Sequence, residues 1–347
     1  MRKRLIGFVL LSFCFFPLLA QQKGWSIVFY NTENLYDTRN DSLTMDDEFT
    51  PRGGKYWTRT RYVTKLLRVA EAVVAAGGGD CPLLVGLAEV ENRSVLQDLI
   101  GRTSLADGRY GILHRDSPDV RGIDVALLYR RDVFQVLDSS FLVVPLIPGE
   151  TTREILYCKG IVAGKDTLHC FVCHFPSMRG GERQSEWKRE RAASVLLRKA
   201  DSIQQAYPSA AILIMGDFNG IVGSPAQKLL RVREYPVASQ ASRRAKNCPD
   251  TLLYDLGYPL VRAGKGSYRY RGRWQLFDRM LVSGSLLNGS RTIQIVPRLE
   301  ICDATFLLEE DRSAFGMKPF RTYAGPRYLG GYSDHLPVAL LLRISED

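Results

Sequence analysis

Seven apolar runs punctuate the chain, and nearly all of them end or open on a polar residue suited to metal or phosphate. The runs are W-S-I-V-F-Y (25–30), L-L-V-G-L-A (83–88), V-A-L-L-Y (125–129), T-L-H-C-F-V-C-H (167–174), A-I-L-I-M (211–215), F-D-R-M-L-V (277–282) and L-P-V-A-L-L-L (336–342). Their lengths suit strands, and unbroken apolar character suits strands covered on both faces. The first runs into Asn31, with Glu33 just beyond it, and the second into Glu89, followed by Glu91 and Asn92. The fourth ends in His174 and the fifth in G-D-F-N, which supplies Asp217 and Asn219. Asp278 sits inside the sixth, and Ser333-Asp334-His335 opens the seventh. Strands laid side by side would bring these ends to one rim.

Carboxylates gathered at close range repel one another and raise each other's pKa. A hard divalent cation removes the conflict and prefers oxygen donors from Asp, Glu and Asn. Imidazoles beside such a site suit proton transfer near neutral pH. Together these groups describe metal-assisted attack on phosphorus. Taken singly, a strand-end Asn, a G-D-F-N or an S-D-H is an ordinary turn or cap; the ordered series carries the reading.

The first twenty residues, M-R-K-R-L-I-G-F-V-L-L-S-F-C-F-F-P-L-L-A, read as an export signal with a basic start, an apolar run and Ala20 before the cleavage point. The apolar stretch is short of the ~20 residues a membrane span needs. Leu11-Ser12-Phe13-Cys14 vaguely resembles a lipid-attachment box, but Phe13 is too bulky for it. Residues 21–347 are then expected as a single domain in the periplasm or outside the cell, with no transmembrane segment after cleavage. No linker or internal repeat divides them. The formal net charge of +10 includes three signal charges, and a modest positive excess suits polyanions as well as plain solubility.

Helical periodicity lies between some of the runs. Val63, Leu66, Leu67, Ala70 and Val73 fall on one helical face, and Gly77-Gly78-Gly79 stops that helix. A second helix is expected from about Arg183 to Ala206. H-C-F-V-C-H at 169–174 has the look of a metal knot, but residues three apart in a strand face opposite sides. Cys170 and Cys173 are therefore expected as buried thiols.

The series Y-N-T-E-N-L-Y-D, L-A-E-V-E-N, H-F-P-S, G-D-F-N, F-D-R-M-L-V-S and S-D-H-L-P-V resembles the endonuclease/exonuclease/phosphatase superfamily. The match runs in the family's order over residues 25 to 343. The resemblance implies an α+β fold, a four-layer α/β/β/α sandwich of two packed mixed sheets flanked by helices, with the active site at one end. It implies a metal-dependent phosphoric ester hydrolase working with Mg²⁺, or with Mn²⁺ or Ca²⁺. Asn31, Glu89 and Asp334 resemble the metal site. Asp217 and Asn219 resemble the pair that activates water and holds phosphate. His335 resembles the catalytic imidazole, oriented by Asp278. His174 resembles a second histidine of some branches, with Asp124 as its orienting partner. Ala88 stands where many relatives have Gln, and Glu33 where some nucleases have a shorter acid; Glu33 is either a further metal ligand or a neighbour.

For the substrate, S-Y-R-Y-R-G-R-W (267–274) interleaves aromatics with arginines. It reads either as a hairpin covering the core or as a surface for phosphates and bases, with Tyr268 and Arg271 in contact. The loop 318–332 places Arg321 and Arg327 ahead of Asp334, and R-G-G-E-R offers Arg179 after His174. An exported nuclease or other phosphodiesterase, with nucleic acid or another phosphodiester as substrate and no stable protein partner, is the favoured reading. The alternatives are a hydrolase of phosphoinositides, inositol phosphates or sphingomyelin, and an inactive binding module.

Overall fold

The computed structural model describes residues 24–235 and 248–345. The leader read over residues 1–20 lies outside the described residues. Among these residues no helix is long and apolar enough to cross a membrane.

In chain order the strands that matter are β1 (Gly24–Leu35), β2 (Leu84–Val90), β3 (Tyr110–His114), β4 (Asp124–Arg130), β5 (Phe134–Leu142), β6 (Ile155–Val162), β7 (Asp166–His174) and β8 (Ala211–Asp217). They continue with β9 (Arg233–Glu234), β10 (Leu253–Asp255), β11 (Tyr268–Tyr270), β12 (Arg273–Gln275), β13 (Asp278–Ser283), β14 (Ile293–Ile295) and β15 (Glu300–Ile301). The C-terminal strand is Val338–Ile344. One sheet runs β14, C-terminal strand, β1, β2, β4, β3, with β15 also paired to the C-terminal strand. The other runs β5, β6, β7, β8, β13, β10, β9.

Among the described residues three pairs are parallel, β1 with β2, β7 with β8 and the short β9 with β10. Parallel neighbours need a crossover, and α1 (Arg59–Ala76) lies in that between β1 and β2, α3 (Glu182–Ala206) in that between β7 and β8. Each helix packs on the outer face of its own sheet. Between the sheets lie Ile27, Phe29, Leu127, Leu213, Met215, Met280 and Leu340. Outside the first sheet, Val28, Tyr30 and Val85 meet Leu66, Val69 and Val73 of α1 and Leu96 of α2 (Arg93–Arg102). Outside the second, Phe171, Ile212 and Ile214 meet Ala192, Leu196 and Ala200 of α3. The four layers are those the family resemblance implied. β8 is apolar from Ala211 to Met215 because Leu213 and Met215 face one core while Ile212 and Ile214 face another.

Strand direction explains why the polar ends converge. β13 runs antiparallel to β8, so Asp278 at its start is the registered partner of Asp217 at the end of β8. β7 runs parallel to β8, so their ends place His174 opposite Asp217. The C-terminal strand runs antiparallel to β1, and the segment that opens it meets the end of β1 where Ser333 Oγ donates to Asn31 O. Just before Asp217, Gly216 lets β7 and β8 approach: a Cβ there would sit 2.3 Å from the Cys173 carbonyl.

One local reading is corrected and one holds. On α1, Val63 and Leu67 are exposed, and Tyr62, Lys65 and Val69 join Leu66, Ala70 and Val73 in the buried face. The helix is rotated because Lys65 Nζ finds partners inside, Thr322 Oγ1 at 2.6 Å and the Tyr332 carbonyl at 2.5 Å. The cysteines follow the period-two argument: Cys170 faces the inter-sheet core and Cys173 faces α3. Among the described residues the six cysteines are free.

Candidate active site

The rim holds a cleft of about 710 Å³ formed by residues of both sheets and by the β11–β12 hairpin. Bulges aim its acids. β1 slips register between Asn31 and Leu35, and β2 slips between Ala88 and Val90. Inside these slips Glu33, Asn34 and Glu89 take φ of 52°, 59° and 61°. Asn219, just past β8, has φ of 45°. Non-glycine residues visit this left-handed region at an energetic cost, and such residues cluster where a side chain must be redirected.

The centre is a chain of side chains. His335 Nδ1 donates to Asp278 Oδ2 at 2.6 Å, and Ser267 Oγ donates to the same oxygen. His335 Nε2 faces Asp217 Oδ2 at 3.8 Å. Asp217 accepts from the Asn219 amide at 2.9 Å and from Asn31 Nδ2 at 3.0 Å. Asn219 Nδ2 donates to the Phe175 carbonyl, which fixes the G-D-F-N turn. His174 Nε2 stands 3.7 Å from Asp217 Oδ2 and 3.9 Å from Glu89 Oε1.

Electrostatics separates the two imidazoles. Burial works against charge on His335, but Asp278 and then Asp217 overcome it and hold His335 well above the usual histidine range. Burial, then Arg153 and Arg121, hold His174 well below that range, so His174 is neutral. Asp217 is pushed up to about 7, first by burial and then by Asp278, against the pull of His335.

Asp124 does not orient His174. Its Oδ1 accepts from the Ser117 amide and hydroxyl, its Oδ2 lies 3.6 Å from His114 Nε2, and His174 Nδ1 has no partner. β4 runs antiparallel to β2, so Asp124 lies at the same end, opposite Val90, where its carboxylate meets Ser117 and His114 instead.

Glu33 is tied down by protein. Arg321 Nε and the Thr322 amide donate to its carboxylate, and Arg321 Nη2 also donates to Asp334 at 3.0 Å. Arg321 thus sits as an internal cation between two acids. Burial, then Asp334, push Glu33 up to about 7, while Lys65 and Arg321 pull it down. Glu89 accepts from the Asn34 amide through Oε2, and Arg121 stands 3.6 Å from its Oε1.

Of the residues read as substrate contacts, Arg179, Tyr268 and Arg321 line the cleft. Arg271 does not: it occupies the turn of the β11–β12 hairpin with φ of 48° and lies exposed over the Tyr270 ring. Arg327 does not: it is exposed on the Tyr323–Ala324/Arg327–Tyr328 hairpin. The alternating arginine Arg269 is structural, donating to the Phe315 and Gly272 carbonyls and facing Asp311. The hairpin reading is therefore partly right, with Tyr268 stacked on Phe277 and its ring 4.8 Å from that of His335. Arg121, Asn34 and Ser267 are site residues the sequence reading passed over. Nothing in a lone loop arginine such as Arg121 distinguishes it in the sequence.

The family model described as the Endonuclease/Exonuclease/phosphatase family matches residues 26–344. The chain belongs to that family. Its members are metal-dependent phosphoric ester hydrolases, and so is this protein. No curated protein matches the sequence at a significant level. Among solved structures, truncated Caenorhabditis elegans TDP2 aligns with TM-score 0.53 and 17% identity, over 92% of this chain and 98% of that one. The endonuclease/exonuclease/phosphatase from Bacteroides vulgatus aligns with TM-score 0.54 and 16% identity, over 93% and 100%. The human Nocturnin catalytic domain with bound sulfate anion aligns with TM-score 0.52 and 15% identity, over 93% and 95%. At these identities the likeness concerns the fold.

The cleft fits a divalent cation. Asn31, Glu33, Glu89, Asp217 and Asp334 offer oxygen donors there, and burial first, then Asp334 beside Glu33 and Asp278 beside Asp217, raises two of these carboxyls. This has a pH consequence. Asp217 and Glu33 have folded values above their ordinary 3.8 and 4.5, so the stability they contribute without metal is present below those values and lost as pH rises through about 7. A cation binds their ionised forms and opposes that loss. Melting curves of the EDTA-treated protein between pH 5 and 8 should fall with pH, less steeply in Asp217→Asn. Mg²⁺ should raise the melting temperature more at pH 8 than at pH 6. A metal effect larger at pH 6 would contradict the assignment.

Proposed function

We propose that the protein is an exported phosphodiesterase acting on nucleic acid, with single-stranded DNA or RNA at the cleft and Mg²⁺ as the working ion. Export rests on the leader-like residues 1–20. The observation that carries the chemistry is the Asp278–His335–Asp217 chain, which places a charged imidazole and an acid of near-neutral pKa at one opening.

In this reading Glu89, Asn31 and Asp334 hold the ion, and Asn31 keeps Nδ2 on Asp217. The bound ion supplies neutralisation of charge at the phosphoryl oxygens. Asp217 accepts the proton of the attacking water, since at about 7 it is ionised in a useful fraction near neutral pH. His335, fixed through Nδ1 by Asp278, presents Nε2–H to the phosphate. Neutral His174 offers a hydrogen bond without adding charge. Mn²⁺ and Ca²⁺ are the other ions that the oxygen donors accommodate.

Nucleic acid is favoured by the mixed lining of the cleft. Tyr268, Tyr270 and Phe277 line it together with Arg179 and Arg321. Aromatic faces stack bases and arginines meet phosphates. Danio rerio TDP2, a structural neighbour at TM-score 0.52 and 16% identity, was solved with single strand DNA product. Tyr270 is half exposed, so Tyr270→Ala should leave the fold intact. It should weaken single-stranded DNA binding by about 1–3 kcal/mol while bis-p-nitrophenyl phosphate turnover stays unchanged.

The test is a panel. Residues 21–347 would be offered single-stranded DNA, plasmid, RNA, bis-p-nitrophenyl phosphate and a phosphoinositide, with Mg²⁺, Ca²⁺ or EDTA. Cleavage of nucleic acid that disappears with EDTA supports the proposal. Metal-dependent release of phosphate from the phosphoinositide, with nucleic acid untouched, overturns the substrate.

A further inference from the structure

A second polar cavity, of about 140 Å³, lies beside the cleft and is lined by Asp37, Asp41, Glu91, Asp116 and Asp124, with Arg39 as its basic residue. Acidic clusters are common on protein surfaces. What sets this one apart is His114, at the end of β3, which is outside the lining but faces two of its acids, Asp116 and Asp124. Its side chain is 1% exposed, and its Nε2 makes no hydrogen bond. That nitrogen points at Asp124 Oδ2 from 3.6 Å, too far for a hydrogen bond. Asp116 Oδ1 lies 3.8 Å from the other ring nitrogen. One ligand atom each from His114, Asp116 and Asp124 falls within 4.8 Å of the others.

The spacing is that of coordination. Two ligands at zinc-type bond lengths of 2.0–2.2 Å in a tetrahedron stand about 3.4 Å apart, close to the 3.6 Å between His114 Nε2 and Asp124 Oδ2. The second oxygen of Asp124 is already oriented by the Ser117 amide and hydroxyl, the outer support that ligating carboxylates ordinarily have. Asp116, 81% exposed, is free to turn inward as the third ligand. An imidazole with two carboxylates and open positions suits a divalent transition ion better than Mg²⁺ or Ca²⁺, which take oxygen alone.

We infer that His114, Asp116 and Asp124 form a second metal site, separate from the catalytic cleft, that takes a divalent transition ion of the zinc class. Two of the three ligands flank the loop that carries Arg121, and Arg121 faces Glu89 in the cleft. The ion would clip that loop to β3 and β4 and so steady one wall of the active site.

The site can be read by binding alone. Residues 21–347 carrying Glu89→Gln, which weakens the cleft as a competitor, would be titrated with Zn²⁺ by calorimetry and with Co²⁺ by absorption. A single high-affinity equivalent is expected. His114→Gln should abolish it, and Asp116→Asn should weaken it about tenfold or more. Asp116 is exposed, so that variant remains informative if His114→Gln folds poorly. Equal Zn²⁺ affinity in the parent and in Asp116→Asn would overturn the inference. So would a Co²⁺ spectrum dominated by thiolate absorption, which would place the ion on cysteine, or a site that prefers Ca²⁺.

Discussion

Asp217→Asn is expected to lower the rate of phosphoester hydrolysis by about a thousandfold while the chain stays folded. The carboxylate is 1% exposed and sits between His335, His174 and Asn31. An Asn keeps one oxygen for the Asn219 amide, so the turn after β8 survives. It removes the basic oxygen that faces both imidazoles, and water at the cleft loses its proton acceptor. It also turns an NH₂ toward Asn31 Nδ2, which costs one hydrogen bond. Initial rates on a phosphodiester, together with a melting curve, separate the two effects. A variant that melts normally and hydrolyses at the parent rate would show that Asp217 has no part in the chemistry.

Arg279→Met is expected to cost about 3–5 kcal/mol of stability, the largest structural effect we foresee. Arg279 and Asp255 are both fully buried and form an ion pair between neighbouring strands β13 and β10. Arg279 also donates to Gln227 at 3.0 Å, and Asp255 accepts from the Gly257 amide at 2.7 Å. Burial raises the Asp255 carboxyl even with its partner in place. Without the guanidinium, an acid is left in the core with one backbone donor. Domains of this kind have only about 5–15 kcal/mol in total, so a urea midpoint would move visibly. Adding Asp255→Asn should recover part of the loss, because the unpaired charge then disappears. A single variant as stable as the parent would mean that the pair contributes little. β13 also carries Asp278, so loosening this pair threatens the partner of His335 from behind.

The catalytic chain was legible because it obeys two simple periods. Unbroken apolar runs announce strands covered on both faces, and the polar residue at each end has nowhere to go but the rim. The parallel and antiparallel neighbours then bring Asn31, Glu89, His174, Asp217 and Asp278 together without any further instruction. What escaped depends on three-dimensional accidents of register. The bulges that turn Glu33 and Glu89 follow from slips between strands, which no single strand records. Lys65 stood outside the apolar face read for α1, and only the carbonyl of Tyr332 and the hydroxyl of Thr322, far along the chain, make its burial tolerable. Arg271 and Arg327 had the composition of phosphate contacts but lie exposed on hairpins outside the cleft lining, whereas Arg121 reached it from a loop with no distinguishing pattern. Asp124 pairs opposite Val90 at the same end of the first sheet as Glu89, yet its carboxylate meets His114 rather than His174.

The most direct measurement is single-turnover cleavage of a labelled single-stranded oligonucleotide by residues 21–347, with Mg²⁺ or EDTA, beside His335→Ala. The account predicts cleavage with Mg²⁺, none with EDTA, and a loss of about a hundredfold or more in the variant. Cleavage that persists in EDTA, or a His335→Ala protein as fast as the parent, would contradict it.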